Sequence, residues 1–372
     1  MTAPSPAASS RPLRVLVVTV VHDPEDARIR HRQIPALLAA GMQVTYAAPF
    51  EAFGRTPPSG VRGIDVPRAS GRRRLGAVVR ARQVIRRAGA GADVVLVHDP
   101  DLLLSVTGLG PRVGRVVWDV HEDTGAAIGM REWIPDLLRR PLRALVRLTE
   151  QLAERRYTLL LAEHSYAERF RTTHPVVPNS NWVPATPPQP SGTERVVYLG
   201  NITIARGGRE MITLARLVPE LELVLIGTAD ATIQPELEAA QHRGELTWLG
   251  FVPNDDAVQL LDGALAGLAL LHDQPNYSRS LPTKIAEYLA HGVPAVTTPN
   301  ESSAALVRTS GGGVVVPFGD VLATAAALRE LARDPERRRA MAISGYRYVA
   351  AEVNWHRDGA EFAKTIADVA RR

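Results

Sequence analysis

Only two lysines occur in the 372 residues, Lys284 and Lys364. The first stands in "SLPTKIAEYLAHG", three residues before Glu287. Pro282 lacks a backbone N–H and suits the start of a helix, so Thr283 and Lys284 would present free N–H groups at its positive end. Residues at i and i+3 share a helix face. A cation, a row of N–H donors and a carboxylate one turn on suit a sugar nucleotide. The cation and N–H groups would meet a diphosphate, and Glu287 would accept from ribose hydroxyls. The same two side chains could equally form a surface ion pair worth under about 1 kcal/mol. A second phosphate-directed stretch is "YLGNITIARGGREM", with Gly200, Asn201, Arg206 and Gly207 leading into a helix. Glycine lets the backbone approach a ligand, the helix start offers N–H groups, and Arg206 adds a bidentate donor. The G-x-G-x-x-G spacing of a dinucleotide fingerprint is missing. Taken alone, this stretch reads better as a tight strand-to-helix turn with a surface arginine.

Other polar clusters point elsewhere. "HDPEDARIRHR" (22–32) is rich in His, Asp and Arg; a solvated loop is the favoured reading, and a site for a polar acceptor at His22 and Arg28 is the alternative. "HDPD" (98–101) contains a D-x-D, but Pro100 and the apolar Leu102–Leu104 run suggest a helix start capped by Asp99 rather than a metal site. His121-Glu122-Asp123 lacks metal-ligand spacing. Ser165 beside His164 lacks the nucleophile-elbow pattern. No cysteine is present, which excludes disulfides, thiol catalysis and Cys-ligated zinc. We assign no metal and no cofactor.

The elements that must position these residues follow from hydrophobic periodicity. "RVLVVTVV" (14–21) is a continuous apolar run suited to a strand buried on both faces. A helix over 30–43, strands over 44–49, 63–68, 92–100 and 115–123, and helices between them give β-α-β-α order, the sign of a parallel sheet flanked by helices. Residues 130–158 read as helical and lead into a further strand. "HPVVPNSNWVPATPPQPSGTE" (174–194) has linker chemistry. The alternation then restarts at "RVVYLGN" and continues to "GGVVVPF" (312–318), and the tail from Val321 is helical apart from a break near "VNWHRDG". We therefore expect an α/β chain: a disordered tail (1–13), a Rossmann-like domain (14–180), a linker (181–195), a second Rossmann-like domain (196–352) and a C-terminal helix (353–372) packing back on the first. Ligands in such sheets lie beyond the carboxyl ends of the strands, here in a cleft between two facing domains. The net charge of +5 fits an anionic partner. In the densest basic stretch, "GRRRLGAVVRARQVIRRAG" (71–89), a solvated helix face is favoured over membrane-surface binding. No aromatics interleave with these arginines, which argues against nucleic acid. No apolar run approaches the roughly 20 residues of a membrane span, and a cytoplasmic location is expected.

Several stretches in consistent order resemble family 4 glycosyltransferases, which are retaining enzymes of the GT-B fold. These are "SLPTKIAEYLAHGVPAV", "VVHDPEDARIRHRQIPALLAAGMQVT", "DVVLVHDPDLL", "VVWDVHED", "VVPNSNWVP", "VVYLGNITIARGGREMI", "LTWLGFVP" and the terminal "VNW". The resemblance implies a donor site mostly in the second domain. Arg206 would lie on the donor diphosphate, Thr283 and Lys284 on the phosphates, Glu287 on the ribose, and Val252 at the base-binding strand end. His121 would lie close to the transferred sugar. It also implies retention of anomeric configuration, no metal, and a nucleoside diphosphate sugar, UDP- or GDP-linked, as substrate. The family motif expects a glutamate where Arg279 stands, so Arg279 and Ser280 would reshape the sugar pocket. Asn201 replaces a frequent arginine, so the diphosphate grip would be either thinner or met by Arg209. The acceptor is a small molecule or a lipid-linked precursor, in glycan or natural-product biosynthesis, with at most peripheral membrane contact. A homodimer is compatible with the sequence. A sugar-nucleotide epimerase of the same fold and a non-catalytic sugar-nucleotide-binding protein are the alternatives.

Overall fold

In the computed structural model the described residues are 11–121, 136–186, 191–274, 277 and 283–372. The chain divides into two compact units, Met1–Pro178 with Arg357–Arg372, and Asn179–His356. Each is built on one six-stranded parallel sheet.

In the first unit β1 (Arg14–Val18), α1 (Ile34–Ala39), β2 (Gln43–Ala48), α2 (Phe50–Phe53), β3 (Arg62–Asp65), α3 (Arg74–Ala88), β4 (Val94–Val97), α4 (Leu102–Val106), β5 (Arg115–Val120), α5 (Asp136–Glu154) and β6 (Thr158–Leu161) follow one another. The strand order is β3-β2-β1-β4-β5-β6. The chain thus works outwards from β1 to β3, crosses back, and works outwards again from β4. Nearly every residue of β1 and β4 is buried, as strands covered on both faces must be. The apolar run expected to continue to Val21 stops as a strand at Val18, because the next backbone groups leave the ladder for a side chain described below. The helix expected from Arg30 opens instead as a wide π-turn over Ile29–Gln33. Pro35 sits at the start of α1 and has no N–H to donate, so a regular i→i−4 ladder cannot run through this point. The wide turn buries Arg28, Arg32 and Gln33.

The second unit contains β7 (Arg195–Leu199), α6 (Gly208–Leu217), β8 (Glu222–Ile226), α7 (Gln234–His242), β9 (Thr247–Trp248), α8 (Asn254–Gln259), β10 (Ala266–Ala269), α9 (Thr283–Ala290), β11 (Ala295–Thr297), α10 (Glu301–Ser310), β12 (Gly313–Val315), α11 (Val321–Arg333) and α12 (Pro335–Glu352). Its strand order, β12-β11-β10-β7-β8-β9, repeats the same doubly wound logic. Asp320 and Asp334 cap α11 and α12 by accepting from Ala323 and Arg337 N–H groups. The last helix, α13 (Trp355–Arg371), begins in this unit, and from Arg357 onwards belongs to the first.

At the switch point of the second sheet, β7 and β10 pair only through Val196 with Ala266 and Val197 with Gly267, and then part. The fully buried Tyr288 of α9 fills the gap. Its hydroxyl accepts from Leu199 N–H at 2.9 Å and donates to Leu268 C=O at 3.0 Å. Burial pushes the phenol well above its ordinary pKa, so it stays a donor. The ring fits because residue 267 has no side chain: a Cβ there would lie 2.3 Å from Tyr288 Cδ2. We expect Tyr288→Phe, which leaves two buried backbone groups unpaired, to cost about 1–3 kcal/mol. Gly267→Ala, which overpacks the ring, should cost a similar amount, about 1–3 kcal/mol. Both should appear as lowered urea midpoints; an unchanged midpoint for both would show that the hydroxyl does not hold the strands.

Candidate functional site

The carboxyl ends of the strands at each switch point gather most of the polar side chains singled out above. In the first unit Asp99, just after β4, is almost fully buried. It does not cap α4, as the sequence suggested. Its Oδ2 reaches across to the end of β1, accepting from Val20 N–H (2.5 Å), Val21 N–H (3.3 Å) and the Thr19 hydroxyl (2.9 Å). Asp119 on β5 is fully buried. It accepts from Arg28 Nε and Nη2, both at 2.7 Å, and from Gln33 Nε2 at 3.1 Å. The π-turn thus brings Arg28 and Gln33, five residues apart, onto one carboxylate. Burial alone would raise the Asp119 carboxyl, but the charge and paired hydrogen bonds of Arg28 outweigh it and hold it well below the usual range. Asp99 is likewise lowered: His22 and the Val20 and Thr19 donors outweigh burial.

Two histidines complete the surface of this cluster. His121 Nδ1 lies 3.2 Å from the Asp119 carbonyl and 3.4 Å from its carboxylate, so it must carry the proton. His121 Nε2 then accepts in its neutral form, and His22 Nε2 donates to it across 2.9 Å. His22 Nε2 also stands 3.2 Å from Asp99 Oδ1, an ion-pair contact without hydrogen-bond alignment. Behind them the buried His98 Nε2 meets Gln33 Oε1 at 2.6 Å. The sequence-derived pair His22 and His121 is therefore in direct contact. Arg28 does not face outwards but sits behind the pair, neutralised by Asp119.

In the second unit, the turn after β7 is built from close backbone contacts. Gly200 (φ 124°) and Gly227 (φ 138°) both have left-side backbone, and a Cβ on Gly227 would fall 2.1 Å from the Gly200 carbonyl oxygen. Gly207 (φ 85°) precedes α6, and a Cβ there would meet the Leu270 carbonyl at 2.6 Å. The loop after β7 is thereby drawn against the loop after β10. Tyr198 donates its hydroxyl to Asn201 C=O at 2.8 Å, and Asn201 Oδ1 accepts from Thr228 at 3.1 Å.

Lys284 lies in the first turn of α9. Although the residue is only partly buried, its Nζ is cut off from solvent and has no hydrogen-bond partner among the described residues. It sits 3.8 Å above the centre of the Tyr198 ring and 3.5 Å from where a Gly200 Cβ would be. Burial, and after it the nearby Arg206, lower its pKa to about 7, with Glu287 acting against both. Thr283, which opens the helix, is held by Asn181 Nδ2 on its carbonyl at 2.9 Å. Arg206 reaches the Asn201 carbonyl only at 3.5 Å. Arg209, expected to share the anion grip, is instead bound to Glu236 at 2.8 Å. Val252 is partly buried against the core beneath α9. Arg279 and Ser280 lie outside the described residues. Among the described residues no group of three or more His, Asp or Glu side chains is placed to hold a metal ion. No described helix is long and apolar enough to cross a membrane.

Residues 184–348 match the family model described as Glycosyl transferases group 1. This stretch, a little under half of the chain, is similar to that family. Comparison with curated proteins finds no match. Among solved structures, sucrose-phosphate synthase from Thermosynechococcus elongatus is 15% identical, with a TM-score of 0.73 over 96% of this chain and 99% of that one. HepE from Anabaena, in complex with UDP-glucose, is 13% identical, with a TM-score of 0.69 over 96% of this chain and 100% of that one. WaaG, a glycosyltransferase involved in lipopolysaccharide biosynthesis, is 14% identical, with a TM-score of 0.68 over 96% and 99%. Together with the two doubly wound sheets, these likenesses give the GT-B fold.

Sequence reasoning missed Tyr198, the platform beneath Lys284 in the second unit, and the buried His98–Gln33–Asp119 relay in the first. The signal for Asp119 was present: an acid inside the apolar run "RVVWDV" must have a partner. One pH effect follows from His98. Burial lowers it from 6.5 to about 4, so it is neutral in the folded chain while an unfolded chain would protonate. Its contribution is intact above about pH 6.5 and is lost as pH falls from there towards about 4. We expect urea midpoints to fall with acidification across that window, and His98→Asn to flatten the slope by up to about one proton, or about 1.4 kcal/mol per pH unit. An unaltered slope would show that His98 already protonates in the folded state.

Proposed function

We propose that the chain is a glycosyltransferase that moves a sugar from a nucleoside diphosphate sugar, UDP- or GDP-linked, to an acceptor with retention of configuration and without a metal. The observation that carries this reading is Lys284: an ammonium at the opening turn of a helix, removed from water, with no hydrogen-bond partner among the described residues, next to Arg206. Two cations at the positive end of a helix leave an electrostatic deficit that an anion would fill. The glycine-rich turn at Gly200 and Gly207 lets backbone approach that anion, and Glu287, one turn on from Lys284, suits ribose hydroxyls. The group 1 match supports the same donor class. HepE has been solved with UDP and with UDP-glucose, which makes UDP sugars the first donors to try.

In this reading the chemistry is leaving-group stabilisation. As the bond from the sugar to the diphosphate breaks, negative charge grows on the departing phosphate oxygen. Lys284, Arg206 and the α9 N–H groups are fixed before the reaction and oppose that charge without reorganising. The acceptor hydroxyl attacks the same face and gives its proton to the departing phosphate. The His22–His121 pair supplies polar contacts for the acceptor, which is a small molecule or a lipid-linked precursor. Arg28 acts through Asp119, which orients His121.

Thermal-shift measurements with a panel of nucleoside diphosphates should show stabilisation by one base. Lys284→Ala and Arg206→Ala should each abolish that shift and reduce transfer by about a hundredfold or more. Normal binding and turnover in both variants would refute the site. A shift without transfer to any acceptor would favour a binding protein, and conversion of the sugar with no acceptor present would favour an epimerase.

Lys284 also sets a proton linkage. With its pKa near 7 in the free chain, much of the ammonium is deprotonated at about pH 8, and a bound diphosphate raises the pKa again. Calorimetry at about pH 8 in buffers of different ionisation enthalpy should therefore show proton uptake on nucleoside diphosphate binding, with affinity falling as pH rises above 7. Lys284→Met should remove the uptake. Equal heats in all buffers would mean that Lys284 is charged before the ligand arrives.

A further inference from the structure

Seven of the thirteen large apolar side chains that the described residues leave exposed lie on one helical layer of the first unit: Leu75 and Val79 on α3, Leu104 on α4, and Leu137, Leu145, Leu148 and Leu152 on α5. The three helices share one core, in which Ala81, Val84, Leu102, Leu103 and Ala153 pack on the same sheet face as Leu16, Val95, Trp118 and Leu159. Scattered single leucines on a surface need no explanation, but a concentration on one layer does.

On α5 the arrangement is ordered. At 100° per residue, Leu137, Leu145, Leu148 and Leu152 fall within about 80° of arc, adjacent to the arc that carries Val146 and the buried Ala153. The helix thus has one broad apolar face, of which only part is covered. The four leucines are 87%, 58%, 53% and 45% exposed, so the free part runs nearly the length of the helix. Arg140, Arg143 and Arg147 lie along one side of it, about 60–120° round the helix, all exposed and without a carboxylate partner among the described residues. The described acids of this layer are already engaged: Glu150 with Arg169, Glu154 with Thr172 and His174, and Asp101 with Arg74. No acidic residue occurs within α3.

We propose that the outer face of α5, extended by α3, docks on the surface of an anionic phospholipid bilayer. The leucines would enter the boundary between headgroups and acyl chains while the arginines meet lipid phosphates. Charge selects this occupant over a second copy of the chain, since facing two such surfaces would bring unpaired arginine rows together. The sequence favoured a solvated face for the basic stretch 71–89. The structure adds the exposed leucines of α5, which a solvated face does not account for. The proposal does not depend on the donor-site reading, and its test needs no sugar transfer.

The full-length chain is sedimented with vesicles of phosphatidylcholine alone or with about one third phosphatidylglycerol, at about 0.05 M and 0.5 M salt. Wild type should pellet with the anionic vesicles at low salt and remain in the supernatant with the neutral ones. Leu145→Ser/Leu148→Ser should weaken the partition about tenfold or more while keeping the far-UV spectrum. Arg140→Gln/Arg143→Gln/Arg147→Gln should weaken it by a similar factor. Arg333→Gln/Arg339→Gln/Arg347→Gln, which removes the same charge from the other unit, should bind within about twofold of wild type. Three results would overturn the proposal. One is no pelleting of wild type with anionic vesicles. Another is wild-type partition by the leucine variant, which would reduce the effect to net charge. The third is a dimer in light scattering that the leucine variant dissociates, which would make the face a contact between copies.

Discussion

Where two parallel strands part, the backbone groups that faced each other lose their partners, and an unpaired buried N–H or C=O is expensive. Both units of this chain depend on one side chain at that place. In the second, the Tyr288 hydroxyl bridges Leu199 and Leu268 after β7 and β10 have separated. In the first, the Asp99 carboxylate collects the Val20 and Val21 N–H groups where β1 runs beyond its pairing. A doubly wound sheet must split at its switch point, and ligands are taken up where it splits. The substituting side chain therefore settles what kind of crevice is left.

The two solutions have opposite electrostatic consequences. A carboxylate brings charge, and the first unit answers with a closed network. His22 faces Asp99, while Arg28, Gln33 and His121 converge on Asp119. What remains at its surface is a pair of imidazoles in contact, already oriented and able to donate or accept. A phenol brings no charge, so Tyr288 does nothing to compensate the ammonium at the start of the same helix. Lys284 has an aromatic face below it and Arg206 nearby, and Glu287 opposes only part of the lowering. One unit is thus electrically satisfied as it stands, and the other is short of an anion.

The alternation of apolar runs and helical periods made the two α/β halves legible, because strands buried on both faces cannot avoid being continuously apolar. The glycine turn and the lysine of the candidate site could be singled out for a similar reason: glycines before a helix and a cation in a helix's first turn are both visible in local sequence. The switch-point side chains were not. Asp99 reads locally as a helix cap, since Pro100 and a leucine run follow it, and only the pairing of β1 with β4 brings the Val20 N–H within its reach. Arg28 reads as a surface residue of a polar loop, and it is the π-turn forced near Pro35 that turns it inward to Asp119. Arg209 reads as a free cation until α6 and α7 place Glu236 beside it. In each case the missing information was a contact between residues far apart in sequence.

The scarcity of lysine gives the second unit a further meaning. This chain uses arginine for almost every cation, yet a lysine occupies a position where the charged atom is cut off from water and, among the described residues, from hydrogen bonds. A guanidinium keeps its charge in any protein environment and presents five donors that all need partners. Placed at 284 it would be a permanent buried cation over Tyr198, beside a second arginine. An ammonium can shed its proton when the site is empty and regain it when an anion arrives, and its pKa near 7 lies where that exchange is nearly free. Stability without ligand and affinity for an anionic ligand then no longer conflict, because the cost of the buried charge falls only on the complex that neutralises it.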